Sequence, residues 1–256
     1  HPGPAVYSKN IDGLNENFDN AMFRIAQSHL KRPMLVFFIQ EHHLTATKAA
    51  FLKVDKVAKN NHILYLQADR PATTAKGGTA LVIPRDMIEH KDSKESHSAA
   101  IERVRSSLST TPDGRICSAT TLINGTEVTL TSVYAPAERG LRASFFTSFK
   151  PKLSKSHLVG MDGNCVFNPR LDTSRPDGLS RPADTEGTAE LRDALEEHDL
   201  TDIMRETLGD APHYTNRVVL EGGTEVTRKR IDHIHTPHLD AIIWKFIPDA
   251  PDILPY

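Results

Sequence analysis

The chain has 256 residues, with 38% hydrophobic and 25% charged residues and only 14 Gly and 16 Pro, a composition that excludes disordered and fibrous classes. Lys plus Arg number 31 against 33 Asp plus Glu, a formal charge of −2, which excludes a uniformly basic nucleic-acid coat but permits a local basic face. No apolar run approaches the roughly 20 residues of a membrane helix, so no membrane partner is expected. The opening HPGPAVYSKN shows no signal-peptide pattern. Two cysteines, Cys117 and Cys165, are too few for a disulfide scaffold or a Cys-rich zinc site, and an intracellular location is expected.

In chain order, AVYSK precedes N-x-D-G-L, and a helix with Phe18, Met22, Ile25 and Ala26 on one face is predicted over 16–30. MLVFFIQ (34–40) is a strand, apolar throughout as for a strand covered on both faces. A single helix is predicted over 45–60, with Ala49, Leu52 and Val57 inward. Strands follow at HILYLQ (62–67), GTALVIP (78–84), RICSATTLI (115–123) and EVTLTSVYAP (127–136), with NGT (124–126) as a hairpin turn. RASFFTSFKPKL (142–153) is helical, HLVGMD (157–162) a strand, and 188–200 a helix with Leu191, Leu195 and Leu200 as its stripe. Residues 163–187 carry no period and are rich in Pro, Gly, Asp, Ser and Arg, which fits either a functional loop or a solvated excursion. KRIDHI contributes another strand. No linker or repeat interrupts 1–256, so one α/β domain is expected, with sheets beneath helices.

Polar residues cluster where the apolar runs stop. They are Asn10 and Asp12, Gln40 and Glu41, Tyr134, Asp162 and Asn164, and Asp232 with His233. Strand ends on one side of an α/β sheet can meet although they are far apart in sequence. Taken singly, each has a plain structural explanation as a turn former, helix cap or half-buried phenol. Gln40, Gly77 and Gly78 in particular suit structural roles, the glycines as a tight turn. His42 and His43 flank Glu41 and suggest zinc; adjacent strand side chains face opposite ways, so both cannot join Glu41, and zinc is rejected.

The order N-x-D-G-L, Q-E, G-G-T-A-L, V-Y-A-P, G-x-D-x-N, R-I-D-H-I resembles the endonuclease/exonuclease/phosphatase superfamily, the DNase I-like family, over residues 5 to about 253. DGNCVFNPRLD (162–172), TDIMRETLGDAPHYT (201–215) and the RASFF segment are most similar to the apurinic-endonuclease-like endonuclease domains of non-LTR (LINE-type) retrotransposons. The resemblance implies a four-layer α/β sandwich, with two packed, mainly antiparallel or mixed sheets flanked by helices. It implies a nuclease dependent on Mg²⁺ or Mn²⁺ that nicks double-stranded DNA in the nucleus, leaving a 3′-hydroxyl to prime a reverse transcriptase acting with it or fused to it. Such hydrolysis needs an activated water, neutralised phosphoryl oxygens and a stabilised leaving alkoxide, and hard oxygen donors suit these ions.

Carried onto this sequence, the motifs make Glu41 the principal metal ligand, Asp12 the second acidic ligand and Asn10 the residue that steadies them. Asp162 would align or deprotonate the water, Asn164 would contact the phosphate, and Tyr134 would donate to a phosphoryl or leaving oxygen. The last motif, S-D-H-x-x-V/I, falls on Pro248-Asp249-Ala250-Pro251-Asp252-Ile253. Asp249 is then a metal-site and catalytic residue, while Ala250 stands in the histidine position and leaves Asp232 without its usual partner. An engineered exchange (favoured here), a naturally decayed site or a misaligned segment would each explain Ala250. A chain ending at PDILPY is what an excised nuclease domain would look like. DNA contacts are assigned to Arg139, Arg142, Asn168, Arg170, Arg228, Lys229 and Arg230, with further basic residues at Arg175 and Arg181. The segment 165–187 and the loop 214–228 are expected to choose the target. Alternatives are an apurinic-site repair nuclease, a phosphoesterase for other substrates and a non-catalytic DNA-binding relative.

Overall fold

A computed structural model of the chain describes residues 4–14, 18–175, 181, 184–219 and 225–237. The elements run β1 (Ala5–Asn10), α1 (Phe18–Lys31), β2 (Met34–Gln40), α2 (Ala46–Leu52), α3 (Val54–Asn60), β3 (Ile63–Ala68), β4 (Thr79–Pro84), α4 (His97–Ser106) and β5 (Ser109–Thr110). They continue as β6 (Ile116–Ile123), β7 (Thr126–Tyr134), α5 (Arg142–Phe149), β8 (His157–Asp162), β9 (Thr173–Ser174), α6 (Thr188–Glu197), β10 (Leu200–Asp202), α7 (Ile203–Leu208), β11 (Asn216–Val219), β12 (Glu225–Lys229) and β13 (Asp232–Pro237).

Two large sheets form. The first has the order β1-β2-β4-β3 and the second β10-β13-β8-β7-β6-β5. The β1–β2 and β7–β8 pairs are parallel and the remaining pairs antiparallel. Every residue of β2 is buried because both faces of this strand are covered. Val36 and Phe38 face the second sheet, meeting Ala119, Leu130 and Leu158. Phe37 and Ile39 face outward against Phe18, Met22 and Ile25 of α1 and Val54 and Ala58 of α3. On the far side, Val133, Val159 and Met161 of the second sheet pack under Phe146 and Phe149 of α5 and Leu191 and Leu195 of α6. The result is the expected four-layer α/β sandwich. Gly160 allows the two sheets to close on each other, since a Cβ there would stand 2.3 Å from the Phe38 ring.

Three local differences from the sequence reading have physical causes. The helix expected over 45–60 is two helices, broken at Lys53, which takes a left-handed φ of 51° and caps α2 by donating to Ala49 and Ala50 carbonyls. The stretch 142–153 leaves the α conformation after Phe149, where Pro151 sits in a 3₁₀ turn. The expected loop 214–228 instead supplies the hairpin β11–β12, to which β9 adds as a third strand. The segment 163–187 is not a solvated excursion where it is described: Cys165, Val166, Asp172 and Asp184 are all buried. The NGT turn is as expected, with Asn124 and Gly125 both at positive φ.

Candidate active site

The strand ends named above do meet. β1 and β2 lie side by side with Asn10 opposite Gln40, and the pairing continues beyond both strands through Ile11 N to Gln40 O, Gly13 N to Glu41 O and Leu14 N to His42 O. In the second sheet Asp162 is flanked in register by Tyr134 of β7 and Asp232 of β13. Asn10 joins the sheets: its Nδ2 donates to Glu41 Oε1 at 2.6 Å and to Asp162 Oδ2 at 2.8 Å. These residues, with Asp12 and Asn164, line one open cleft of about 580 Å³.

The loop after β2 is unusually constrained. Asp12, Glu41 and His43 all adopt left-handed φ, at 43°, 55° and 60°. Non-glycine residues rarely hold this conformation unless the surroundings enforce it. Here His42 N donates to Gly78 O and His43 N to Gly77 O, while Arg70 Nε donates to His43 O. Gly78 must be glycine, because it has φ +88° and a Cβ would fall 2.5 Å from the His42 ring. Both glycines therefore act as the structural turn expected of them. Gln40 is also structural, buried with its Nε2 donating to Ser8 Oγ, Ser132 Oγ and the Gly160 carbonyl.

Of the two histidines, His42 turns away from Glu41 and His43 turns toward it. His42 turns into the core, where its ring contacts the Ala68 and Thr79 carbonyls, and burial lowers its pKa to about 4. His43 turns toward the cleft, with Nε2 at 3.2 Å from Glu41 Oε2 and 3.8 Å from Asp12 Oδ1. Burial alone would raise the Glu41 pKa. Hydrogen bonds from His43, Asn10 and Tyr134 and the Lys76 ammonium outweigh it and hold the carboxyl at about 2. Lys76 Nζ lies 3.3 Å from Asp12 Oδ1 and 3.6 Å from Glu41 Oε2. One donor atom each from Asp12, Glu41 and His43 lies within 4.8 Å of the others, so this donor set fits a divalent cation.

A few ångströms deeper the charge balance reverses. Burial raises Asp162 to about 6, helped by the Glu41 charge and opposed by hydrogen bonds from Asn10 and Asn164. Burial and then the Asp162 charge push Asp232 well above the usual carboxylate range. Asp232 Oδ1 is out of solvent and has no hydrogen-bond partner among the described residues. Thr215 Oγ1 fixes the strand beneath it by accepting from Ile231 N and Asp232 N. Asn164, with φ 49°, sends its own N–H to Asp162 Oδ1 and its side chain to the Ala135 carbonyl. Burial and the two carboxylates keep the Tyr134 phenol protonated far above its ordinary range. The Arg115 guanidinium stands 5.1 Å over the Tyr134 ring. His233 points away from Asp232 as expected, into the core beside Phe167.

Two assigned DNA contacts are corrected. Arg230 is buried, donating to both Asp172 oxygens and to Asp202, so it is an internal clamp between the 163–172 segment and β13. Arg142 is buried too, its guanidinium committed to the Pro136 and Ala137 carbonyls behind Tyr134. A basic triplet at 228–230 looks like a solvated face, but its alternation sends one member inward. Lys229 pairs with Asp184 at 2.7 Å, and Arg175 pairs with the same carboxylate. Arg139, Asn168, Arg170, Arg181 and Arg228 are exposed. Asp249 and Ala250, with the rest of the last motif, lie outside the described residues. Lys76 also lines the cleft and His43 stands against Glu41; spacing of two from Glu41 is the sequence signal for His43, and Lys76 has none.

No protein-family profile and no curated protein matches the sequence. Solved structures do match. The AP endonuclease LMAP from Leishmania major has a TM-score of 0.63 at 14% identity, over 91% of this chain and 78% of that one. An AP endonuclease from Archaeoglobus fulgidus has a TM-score of 0.61 at 13% identity, over 92% and 86%. The endonuclease domain of TRAS1, a telomere-specific non-LTR retrotransposon, has a TM-score of 0.55 at 13% identity, again over 92% and 86%. At these identities the likeness is one of architecture, and with the topology above it makes this chain a DNase I-like α/β sandwich.

Proposed function

We propose that the chain is a divalent-metal-dependent endonuclease that hydrolyses a phosphodiester bond of double-stranded DNA. The observation that carries this reading is the Asn10 bridge, which ties Glu41 of one sheet to Asp162 of the other inside a cleft that also holds Asp12, Tyr134 and Asp232. Glu41 and Asp12 would hold the cation, with Asn10 fixing the Glu41 rotamer and Asp249 as the remaining acidic candidate; bound there, Mg²⁺ or Mn²⁺ would neutralise phosphoryl charge. Asp162, with a pKa near 6, is suited to take a proton from water at neutral pH. The water oxygen then bonds to phosphorus as the P–O3′ bond breaks, and the departing O3′ takes a proton from solvent, leaving a 3′-hydroxyl and a 5′-phosphate. Asn164 would face the phosphate, and Tyr134, held protonated, would donate to an oxygen as negative charge develops.

The finer reading is a retrotransposon nuclease acting in the nucleus, whose 3′-hydroxyl primes a companion or fused reverse transcriptase. It is supported by the DGNCVFNPRLD and TDIMRETLGDAPHYT stretches and by the architectural likeness to the TRAS1 domain. Exposed Arg139, Asn168, Arg170 and Arg228 are the DNA contacts in this reading, and Ala250 leaves the nuclease impaired. Supercoiled plasmid and an abasic duplex, each with Mg²⁺ and with EDTA, provide the test. Ala250→His is expected to nick the plasmid at least about tenfold faster than the chain as it stands, as for one missing transition-state contact. Adding Asp162→Asn should abolish nicking. Strong preference for the abasic duplex would instead identify a repair nuclease. DNA binding without cleavage, even after Ala250→His, would identify a non-catalytic relative.

A further inference from the structure

Resting on the reading of this cleft as a cation site, we propose that His43 binds the ion directly through Nε2, and that this nitrogen makes the site favour Mn²⁺ over Mg²⁺. The geometry comes first. Adjacent donors around a six-coordinate ion with bonds of about 2.1 Å are about 3 Å apart, and opposite donors about 4 Å. His43 Nε2 lies 3.2 Å from Glu41 Oε2 and 3.8 Å from Asp12 Oδ1, inside that range. All three donor atoms lie within 4.8 Å of one another, so a modest movement closes them on one ion.

The backbone holds the donors in place. All three donors come from residues at left-handed φ, and the Glu41–His43 turn is locked from outside by the Gly77 and Gly78 carbonyls and by Arg70. The turn aims the two side chains at a common point while sending His42 into the core. Lys76 shows the electrostatic demand at the same point, with its ammonium against the two carboxylates on a largely exposed side chain that an arriving ion can displace.

Ligand chemistry then sets the selectivity. Mg²⁺ keeps to oxygen donors and surrenders water reluctantly, whereas imidazole nitrogen bonds better to first-row transition-metal ions. Two carboxylates alone would leave Mg²⁺ adequate; the added nitrogen shifts preference toward Mn²⁺.

The test uses the intact chain without DNA. Free Mn²⁺ is followed by electron paramagnetic resonance during titration, and Mg²⁺ is then added to displace it. His43→Ala is expected to weaken Mn²⁺ binding at least tenfold, to leave Mg²⁺ binding within about threefold, and so to reduce the Mg²⁺ excess needed for displacement. His43→Asp, which restores an oxygen donor, should move the preference toward Mg²⁺. Circular dichroism of both variants confirms that they fold; if His43→Ala does not, His43→Asp and His43→Gln carry the comparison. Unchanged Mn²⁺ affinity and an unchanged displacement ratio in the folded variants would overturn the assignment of His43, leaving the nuclease reading intact. Failure of the wild-type chain to bind Mn²⁺ or Mg²⁺ at all would remove the cation site itself, and the nuclease reading with it.

Discussion

Asp162 and Asp232 stand directly opposite each other on neighbouring antiparallel strands, and burial raises the pKa of both carboxyl groups. Like charges so placed cannot both ionise easily, and the pair titrates as a unit. The nicking rate of the Ala250→His protein should therefore rise with pH through an apparent pKa near 6, the value to which burial brings Asp162. The direction follows from the role: the base must be deprotonated, and its deprotonated fraction grows as pH passes that value. A pH series from 5 to 8 checks it, and a rate that is flat there would remove Asp162 as the base.

The same pair predicts a gain in stability from a loss of function. A carboxyl whose folded pKa is raised destabilises the fold once pH exceeds its unfolded value, so the penalty from Asp232 is present at pH 8 and fades as pH falls toward the ordinary carboxylate range. Asp232→Asn should raise the melting temperature at pH 8 by about 2–4 °C, corresponding to on the order of 1 kcal/mol, and should make little difference at pH 4. Differential scanning calorimetry at both pH values measures the contrast.

Arg230 is the opposite case, a buried charge that is fully answered. Replacing it with Leu leaves the Asp172 carboxylate, which is itself fully buried, with only Arg205 and the Asn168 N–H as partners, and should cost about 3–5 kcal/mol in chemical denaturation. Adding Asp172→Leu should recover most of that loss, although Asp202 and Arg205 then lose one partner each. If the single and double variants are equally destabilised, the clamp is not what Arg230 supplies.

Much of this molecule could be read from the chain. MLVFFIQ, GTALVIP and HLVGMD are apolar on both faces because each lies between two layers, and that pattern needs no long-range information. The strand-end residues Asn10, Glu41, Tyr134, Asp162 and Asp232 are visible because each stands at or beside the end of a strand. What could not be read depends on partners far away in sequence. Arg230 is turned inward by Asp172 and Asp202, and only the folded chain brings those carboxylates beneath it. The break at Lys53 has no glycine to announce it, and α4 has neither a wide apolar stripe nor an acidic first turn. His43 reaches the cleft through backbone angles that propensities disfavour, so a strand-based argument could weigh it only as half of a histidine pair.

Buried neutral histidines should make the fold sensitive to acid. Burial lowers His42 and His157 to about 4 and His235 to about 3. A folded pKa below the unfolded value means that the unfolded chain takes up protons first, so stability is present above about pH 6.5 and declines as pH falls toward 4. Urea midpoints measured between pH 7.5 and 4.5 should fall steadily, and His235→Phe should flatten the slope. A midpoint independent of pH in the wild-type chain would contradict this burial.

Because a single asparagine amide touches an acid from each half of the sandwich, neither sheet alone contains the whole cleft. On the proposed nuclease reading, any treatment that slides one layer against the other by the width of an atom should stop nicking long before the secondary structure melts, so that nicking would gauge layer registry more finely than any spectrum of the backbone.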